Sequence, residues 1–162
     1  MSCISDLIEH SPYLAEQIIR HPNDITALKT LVGGHADIKT ILSTPNTLNK
    51  NMGLSDSTTF LRHYYRCQML ALLAKSIYLK APIFSTLNSI SHLADVVIQL
   101  ALQIAIVETE RTLRQPQPPE KLQIVALGRL GMREFNLGSD ADLVFVLPDK
   151  AKSQCRTSGA WF

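Results

Sequence analysis

Leu122-Gln-Ile-Val-Ala-Leu-Gly-Arg-Leu-Gly-Met-Arg-Glu-Phe-Asn-Leu-Gly-Ser-Asp-Ala-Asp-Leu-Val-Phe-Val-Leu147 is the stretch on which the reading of this chain turns. Its two ends, Leu122 to Leu127 and Asp142 to Leu147, are apolar runs of strand length, the first ended by Gly128 and the second by Pro148. Between them, Gly128 to Ser139 reads as a glycine-bearing turn with a short helix. Residues two apart in a strand project from one face, so Asp140 and Asp142 set two carboxylates side by side. Such a pair repels itself unless a cation sits between. Hard oxygen donors suit Mg²⁺, which keeps several waters and takes one or two carboxylates plus substrate phosphates. That is the metal arrangement phosphoryl and nucleotidyl transfer require, because it neutralises phosphate charge and orients the attacking and leaving oxygens. Gly128 and Gly131 permit close backbone approach, and together with Arg129 and Ser139 they are the candidates for holding a triphosphate. An isolated Gly-Ser-Asp-x-Asp more often marks a solvated turn or a helix cap. The discriminating feature is the combination: a strand, Gly128 at its end, and a carboxylate pair twelve residues later opening a second strand.

Upstream, the period is helical. Ser11-Pro12 places a capping residue before a proline at the first helical position, and His21-Pro22 stops that helix. Asn23 or Asp24 can cap a second one carrying Ile25, Leu28, Leu31 and Val32 on one face, with Gly33-Gly34 as its stop. Residues 36–42 form a weaker helix, followed by a polar loop through Pro45 to Asp56. Two long helices follow. The first runs from Ser57 or Thr58 to Leu79, with Phe60, Leu61, Tyr64, Met69, Leu72, Leu73 and Ile77 as core positions. The second runs from Ser85 or Ser89 to Arg114, with Leu87, Ile90, Leu93, Ala94, Val97, Ala101, Ile104 and Ala105 on its inner face. They are expected to pack antiparallel. Gln115-Pro-Gln-Pro-Pro119 breaks the pattern, which divides the chain into a helical region (1–114), a linker (115–120) and a strand-bearing part (121–162).

With 162 residues and 46% hydrophobic content the chain can build a proper core, which argues against disorder. A formal net charge of +2, with the basic residues scattered, offers no electrostatic case for nucleic acid. Cys3, Cys67 and Cys155 are odd in number and lack ligand spacing, so reduced thiols and a cytoplasmic setting are expected. The N-terminus carries no signal-peptide pattern. The apolar run from Val96 to Val107 falls short of a membrane span of roughly 20 residues, so no membrane partner is expected.

The segment from Gly128 to Asp142 resembles the signature of the polymerase-β-like nucleotidyltransferases, in which a glycine turn after one strand precedes an aspartate pair opening the next. More closely, Ala126 to Phe145 is similar to the motif of the glutamine synthetase adenylyltransferase family. Phe60-Leu-Arg-His-Tyr-Tyr-Arg-Cys-Gln-Met-Leu70, Leu93-Ala-Asp95 and Tyr13 to Pro22 resemble its upstream helices, so the likeness covers most of the chain to about Leu147. It implies an α+β architecture: a mainly α-helical N-terminal region followed by the opening strand–turn–strand of a nucleotidyltransferase domain. The implied activity is transfer of AMP from ATP to a tyrosine of glutamine synthetase, or its phosphorolytic removal, in control of nitrogen assimilation. Mg²⁺ would bind Asp140 and Asp142, and a PII signalling protein would regulate the parent. Met132 stands where the family usually has a second glycine. The family's third carboxylate, on a later strand, has no counterpart after Pro148, so the chain is expected to be a truncated piece, inactive alone. Which catalytic half it represents stays open: Arg129 with Gly138 to Asp142 leans toward adenylylation, Phe135-Asn136 toward removal.

Two other readings compete: a non-catalytic helical interaction fragment with a vestigial motif, and an enzyme of the same fold acting on a small molecule or RNA. A helical region ahead of the motif disfavours the last. His10, His21, His35, His63 and His92 show no ligand spacing and read as surface or packing residues. Arg62 and Arg66 read as a solvated face, and Tyr64, Tyr65 and Tyr78 as core or interface aromatics.

Overall fold

A computed structural model of the chain describes residues 8–26, 52–78, 80–113 and 122–147. The helices expected to run on from Asp24 and over 36–42, the linker at 115–120, the tail after Leu147, His35, Cys3, Cys155 and the Tyr78 side chain lie outside the described residues.

Helix α1 (Pro12–Arg20) is built as its sequence dictates. Proline occupies the first turn, where its missing N–H costs nothing, and the Ser11 hydroxyl accepts from the Leu14 N–H at 3.4 Å. Leu14 and Ile18, four apart, are its buried residues. Backbone bonds from Asp24 N–H to His21 O (3.0 Å) and from Ile25 N–H to Pro22 O (3.2 Å) turn the chain after it. Asp24 already lies inside the next helical turn, and its carboxylate reaches Arg66, 42 residues further on, at 2.5 Å instead of capping. A carboxylate 5% exposed needs such a partner, because burying it alone is costly. Arg66 is therefore no solvated residue.

Helices α2 (Leu54–Tyr78) and α3 (Ile83–Leu113) form a hairpin. Its direction is fixed at both ends: the Ser76 and Thr86 hydroxyls meet at 2.8 Å beside the connection, and the Arg111 guanidinium donates to Met52 O at 3.2 Å at the far end. The expected antiparallel pair is present. α2 begins three residues before the expected start, because the Gly53 carbonyl already accepts the Ser57 N–H (3.0 Å). Tyr64, Met69 and Leu72 are buried as expected, with Cys67, Leu70, Ala71 and Ala74, whereas Ile77 is exposed. On α3, Ile90, Leu93 and Ala94 are buried, but Ala101 and Ala105 face outward and Val96 and Leu100 take the inner positions. The expected face holds through Ile90, Leu93, Ala94 and Val97 and departs at Ala101 and Ala105. Small alanines fit either row, so the sequence left the choice to packing.

As a whole, α3 is long and apolar enough to cross a membrane by length and composition, with a mean hydropathy of 1.8 over 18 residues. The shorter run used for the sequence estimate understated it. A helix buried in a protein core has the same composition, and α3 carries Thr86, Ser89 and Ser91 among its buried positions.

The strand-bearing part docks onto these helices. Strands β1 (Gln123–Ala126) and β2 (Leu143–Val146) pair antiparallel, Ile124 opposite Phe145 and Ala126 opposite Leu143. Directly opposed residues share a face. Ile124, Ala126 and Leu143 are half-buried on one side; Val125, Val144 and Val146 are exposed on the other. Between the strands the short helix α4 (Gly128–Gly131) inserts Leu130, and the following loop inserts Phe135, into the cluster formed by Leu14, Met69, Leu93 and their neighbours. Each such side chain contributes about 1.5–3 kcal/mol. The attachment is also polar. The Ser91 hydroxyl, fully buried, donates to Leu87 O (2.8 Å) and accepts the Phe135 N–H (3.1 Å). At the surface Arg133 pairs with Asp95.

Two predictions follow from this packing. Ser91→Ala leaves the buried Phe135 N–H without an acceptor and lowers stability by about 1–3 kcal/mol, while Asp95→Asn, breaking a half-exposed pair, costs under about 1 kcal/mol; chemical denaturation reads both, and equal losses would show that Ser91 holds nothing. The Cys67 thiol is pushed up to about 11, first by burial, then by the Asp24 charge, with Arg66 opposing. Its folded value lies above the unfolded 9.0, so stability is intact below that and falls as pH rises toward about 11. Between those limits the parent chain loses about 2 kcal/mol more than Cys67→Ala, and identical alkaline profiles by denaturant titration would contradict the thiol's protected state.

Candidate active site

The carboxylate pair sits where β2 begins. The Leu127 N–H donates to Asp142 O at 2.9 Å, one step beyond the Ala126–Leu143 pair, so Asp142 extends the ladder although the regular strand starts at Leu143. Its side chain lies on the exposed face shared with Leu127, Val125 and Val144. Its Oδ2 is 3.2 Å from where a Cβ on Gly128 would be, and Gly128 has φ of +56°. Both facts demand glycine: left-handed backbone disfavours a Cβ, and the carboxylate occupies its space. The structure thus brings Gly128 and Asp142 together. Asp140 is exposed in the irregular segment just before β2, outside the ladder.

Gly131 is demanded for another reason. A Cβ there would lie 2.6 Å from the Ala126 carbonyl oxygen, so α4 packs against the end of β1 more closely than any side chain allows. That tight return is made by Gly131 N–H donating to Leu127 O (3.1 Å) and Met132 N–H donating to Gly128 O (3.1 Å). The helix then stops with Glu134 N–H donating to Arg129 O (2.8 Å) and Arg133 N–H to Leu130 O (3.1 Å), the double bond of a Schellman ending. The left-handed position of that ending, usually glycine, is Arg133 at φ +63°. An arginine there costs roughly 1–2 kcal/mol, and its ion pair with Asp95 offsets part of this.

Of the other candidates, Arg129 is exposed at the start of α4. Ser139 is half-buried: its hydroxyl donates to Asn136 Oδ1 and its N–H to Asn136 O at 3.2 Å, closing a turn just before Asp140. To hold a phosphate, that hydroxyl must exchange its Asn136 partner. Ser91, Asp95 and Arg133 escaped the sequence reading, although Asp95 falls within Leu93-Ala-Asp95. Nothing in local spacing signals a contact across 38 residues.

Hard, exposed carboxylate oxygens beside a side-chain-free α-carbon form a surface that a hydrated divalent cation fits, and Gly128 leaves the room that a Cβ would fill.

Residues 1–160 match the family model described as glutamate-ammonia ligase adenylyltransferase. The bifunctional glutamine synthetase adenylyltransferase/adenylyl-removing enzyme of Shewanella loihica is 30% identical over 152 residues, covering 89% of this chain and 16% of the relative. The enzyme of that name from Psychromonas ingrahamii is 28% identical over 159 residues, with the same coverage of each chain. That of Bifidobacterium longum subsp. infantis is 36% identical over 97 residues, covering 58% of this chain and 9% of the relative. No solved structure matches. The chain therefore spans a small fraction of the length of these relatives, 16% at most among the three. Matched by the family model over nearly its whole length, it belongs to the glutamate-ammonia ligase adenylyltransferase family.

Proposed function

We propose that this chain is the helical approach and opening strands of a nucleotidyltransferase domain that transfers AMP from ATP to a tyrosine of glutamine synthetase, or removes it by phosphorolysis. The observation that carries this reading is the Asp142 carboxylate seated against Gly128 at the mouth of a strand pair, in a chain of this family. Asp140 and Asp142 would hold Mg²⁺, which when bound neutralises phosphate charge. Gly128, Arg129, Gly131 and Ser139 line the turn proposed to take the phosphates, the glycines by admitting the backbone and Arg129 by its charge. The residues fall into a helical region to 114, a linker at 115–120 and a catalytic opening from 121. The setting is cytoplasmic, and a PII protein acts on the full-length enzyme.

One observation favours a second reading, a non-catalytic helical fragment with a vestigial motif. The sheet face that carries Asp142 is apolar and exposed, with Val125, Leu127, Val144 and Val146 each 40–47% accessible.

Labelled ATP and glutamine synthetase distinguish the two. The chain alone transfers no label, since tyrosine, with an ordinary pKa of about 10, needs activation that two carboxylates do not supply. Extended with the remainder of a relative's catalytic domain it labels the tyrosine, and Asp142→Asn reduces that by more than about a hundredfold with the fold intact. An extended protein that is folded yet silent supports the vestigial reading; a fully active short chain overturns the need for further strands.

A further inference from the structure

Where the turn after α1 meets helix α2, three side chains that the proposed reaction does not use converge. His63 and Cys67 stand four apart on α2, hence on one face one turn apart. Asp24 arrives from the turn after α1. Its Oδ1 is 3.2 Å from His63 Nδ1, and Cys67 Sγ is 3.7 Å from the same nitrogen. The three potential ligand atoms all lie within 4.8 Å of one another. With zinc bonds of about 2.0–2.2 Å to nitrogen and oxygen and about 2.3 Å to sulfur, the ligand-to-ligand edges of a tetrahedron are about 3.3–3.6 Å. The two separations that involve His63 Nδ1, 3.2 and 3.7 Å, are close to those edges. We propose that Asp24, His63 and Cys67 form a binding site for a zinc-class divalent cation, joining the turn after α1 to helix α2.

Arg66 frames the site: its Nη2 lies 3.4 Å from His63 Nδ1, a contact that an incoming ion displaces. Arg66 Nε holds Asp24 Oδ2 at 2.5 Å, leaving Oδ1 toward His63, the arrangement in which an outer partner orients a ligating carboxylate. Asp24 and Cys67 are buried while the His63 side chain is 49% exposed, so the ion enters past the imidazole and keeps a fourth position for water. Once the thiol gives up its proton to the incoming ion, thiolate and carboxylate against the Arg66 guanidinium present one net negative charge to it. Sγ lies as near Nε2 (3.8 Å) as Nδ1, so the imidazole turns about its outer torsion to aim Nδ1 at the ion. Burial keeps the thiol protonated, and Asp24 reinforces this; binding releases that proton, so uptake strengthens as pH rises. Thiolate and imidazole donors also separate this site from the all-oxygen surface at Asp140 and Asp142, which favours Mg²⁺.

The test is titration of the whole chain with Co²⁺ alone, under reducing conditions, followed by Zn²⁺ displacement. The expected result is a thiolate-to-cobalt charge-transfer band with intense four-coordinate visible bands, bleached by Zn²⁺ and unaffected by excess Mg²⁺. His63→Ala, a change at a half-exposed position whose effect on folding is checked by circular dichroism, weakens binding by more than about tenfold. Cys67→Ser removes the charge-transfer band, and Cys3→Ser with Cys155→Ser leaves it. Absence of the band from the parent chain, its survival in His63→Ala at full affinity, or its loss in the Cys3 and Cys155 double variant would each overturn the proposal.

Discussion

A serine hydroxyl in the middle of a helix holds the two halves of this protein in register. Ser91 returns its proton to Leu87 O, an ordinary way for serine to be accommodated in a helix, and its oxygen then accepts the Phe135 N–H. Both groups are buried, so neither has water as an alternative partner, and a shift of the loop by one residue would strand an amide in the core. Phe135 and Leu130 stand on either side of this bond in the apolar cluster. The loop's position is thus set twice, by apolar burial and by one directional bond, and that loop runs four residues on to Ser139 and the carboxylates.

A two-stranded ribbon is marginal by itself in water. Here β1 and β2 draw their order from one half-buried face and from α4, whose return against Ala126 is so close that only glycine at 131 fits. The opposite face is apolar and open, with strand edges that are unpaired among the described residues, a combination that sheets seldom leave uncovered. Asp142 belongs to that face, so whatever covers it also determines what approaches the carboxylate.

Much of this was legible from residue order alone because the signals were local. Ser11-Pro12 fixed a helix start, Gly128 and Pro148 bounded two strands, and strand alternation set Asp142 on the face with Val144. The row of α3 that faces α2 was misread at Ala101 and Ala105, since alanine tolerates either side and only packing chooses. Contacts far apart in sequence were invisible for a different reason. Asp24 read as a helix cap and Arg66 as solvated, yet each is what makes the other's burial tolerable across 42 residues. His63 looked isolated because its neighbours in space, Asp24 and Cys67, come from two elements. Arg133 carried no warning either, as its left-handed backbone shows only in a glycine-like position that the sequence fills with arginine.

Exposure changes the weight of the carboxylate pair itself. Read along the chain, Asp140 and Asp142 seem to call for a cation to quench their repulsion, and deep in a protein they would. Both are solvent-exposed, however, and at a separation of about 7 Å two unit charges in water repel by only about 0.6 kcal/mol. Repulsion of that size does not by itself call for an ion. What distinguishes the pair is location: Gly128 turns in left-handed backbone beside the Asp142 carboxylate, and Gly131 leaves no room for a Cβ against the Ala126 carbonyl. The packing of α4 on β1 accounts for Gly131, and the left-handed backbone for Gly128. Under the function proposed above, the room at Gly128 would also let the phosphates of a nucleotide come close to the chain.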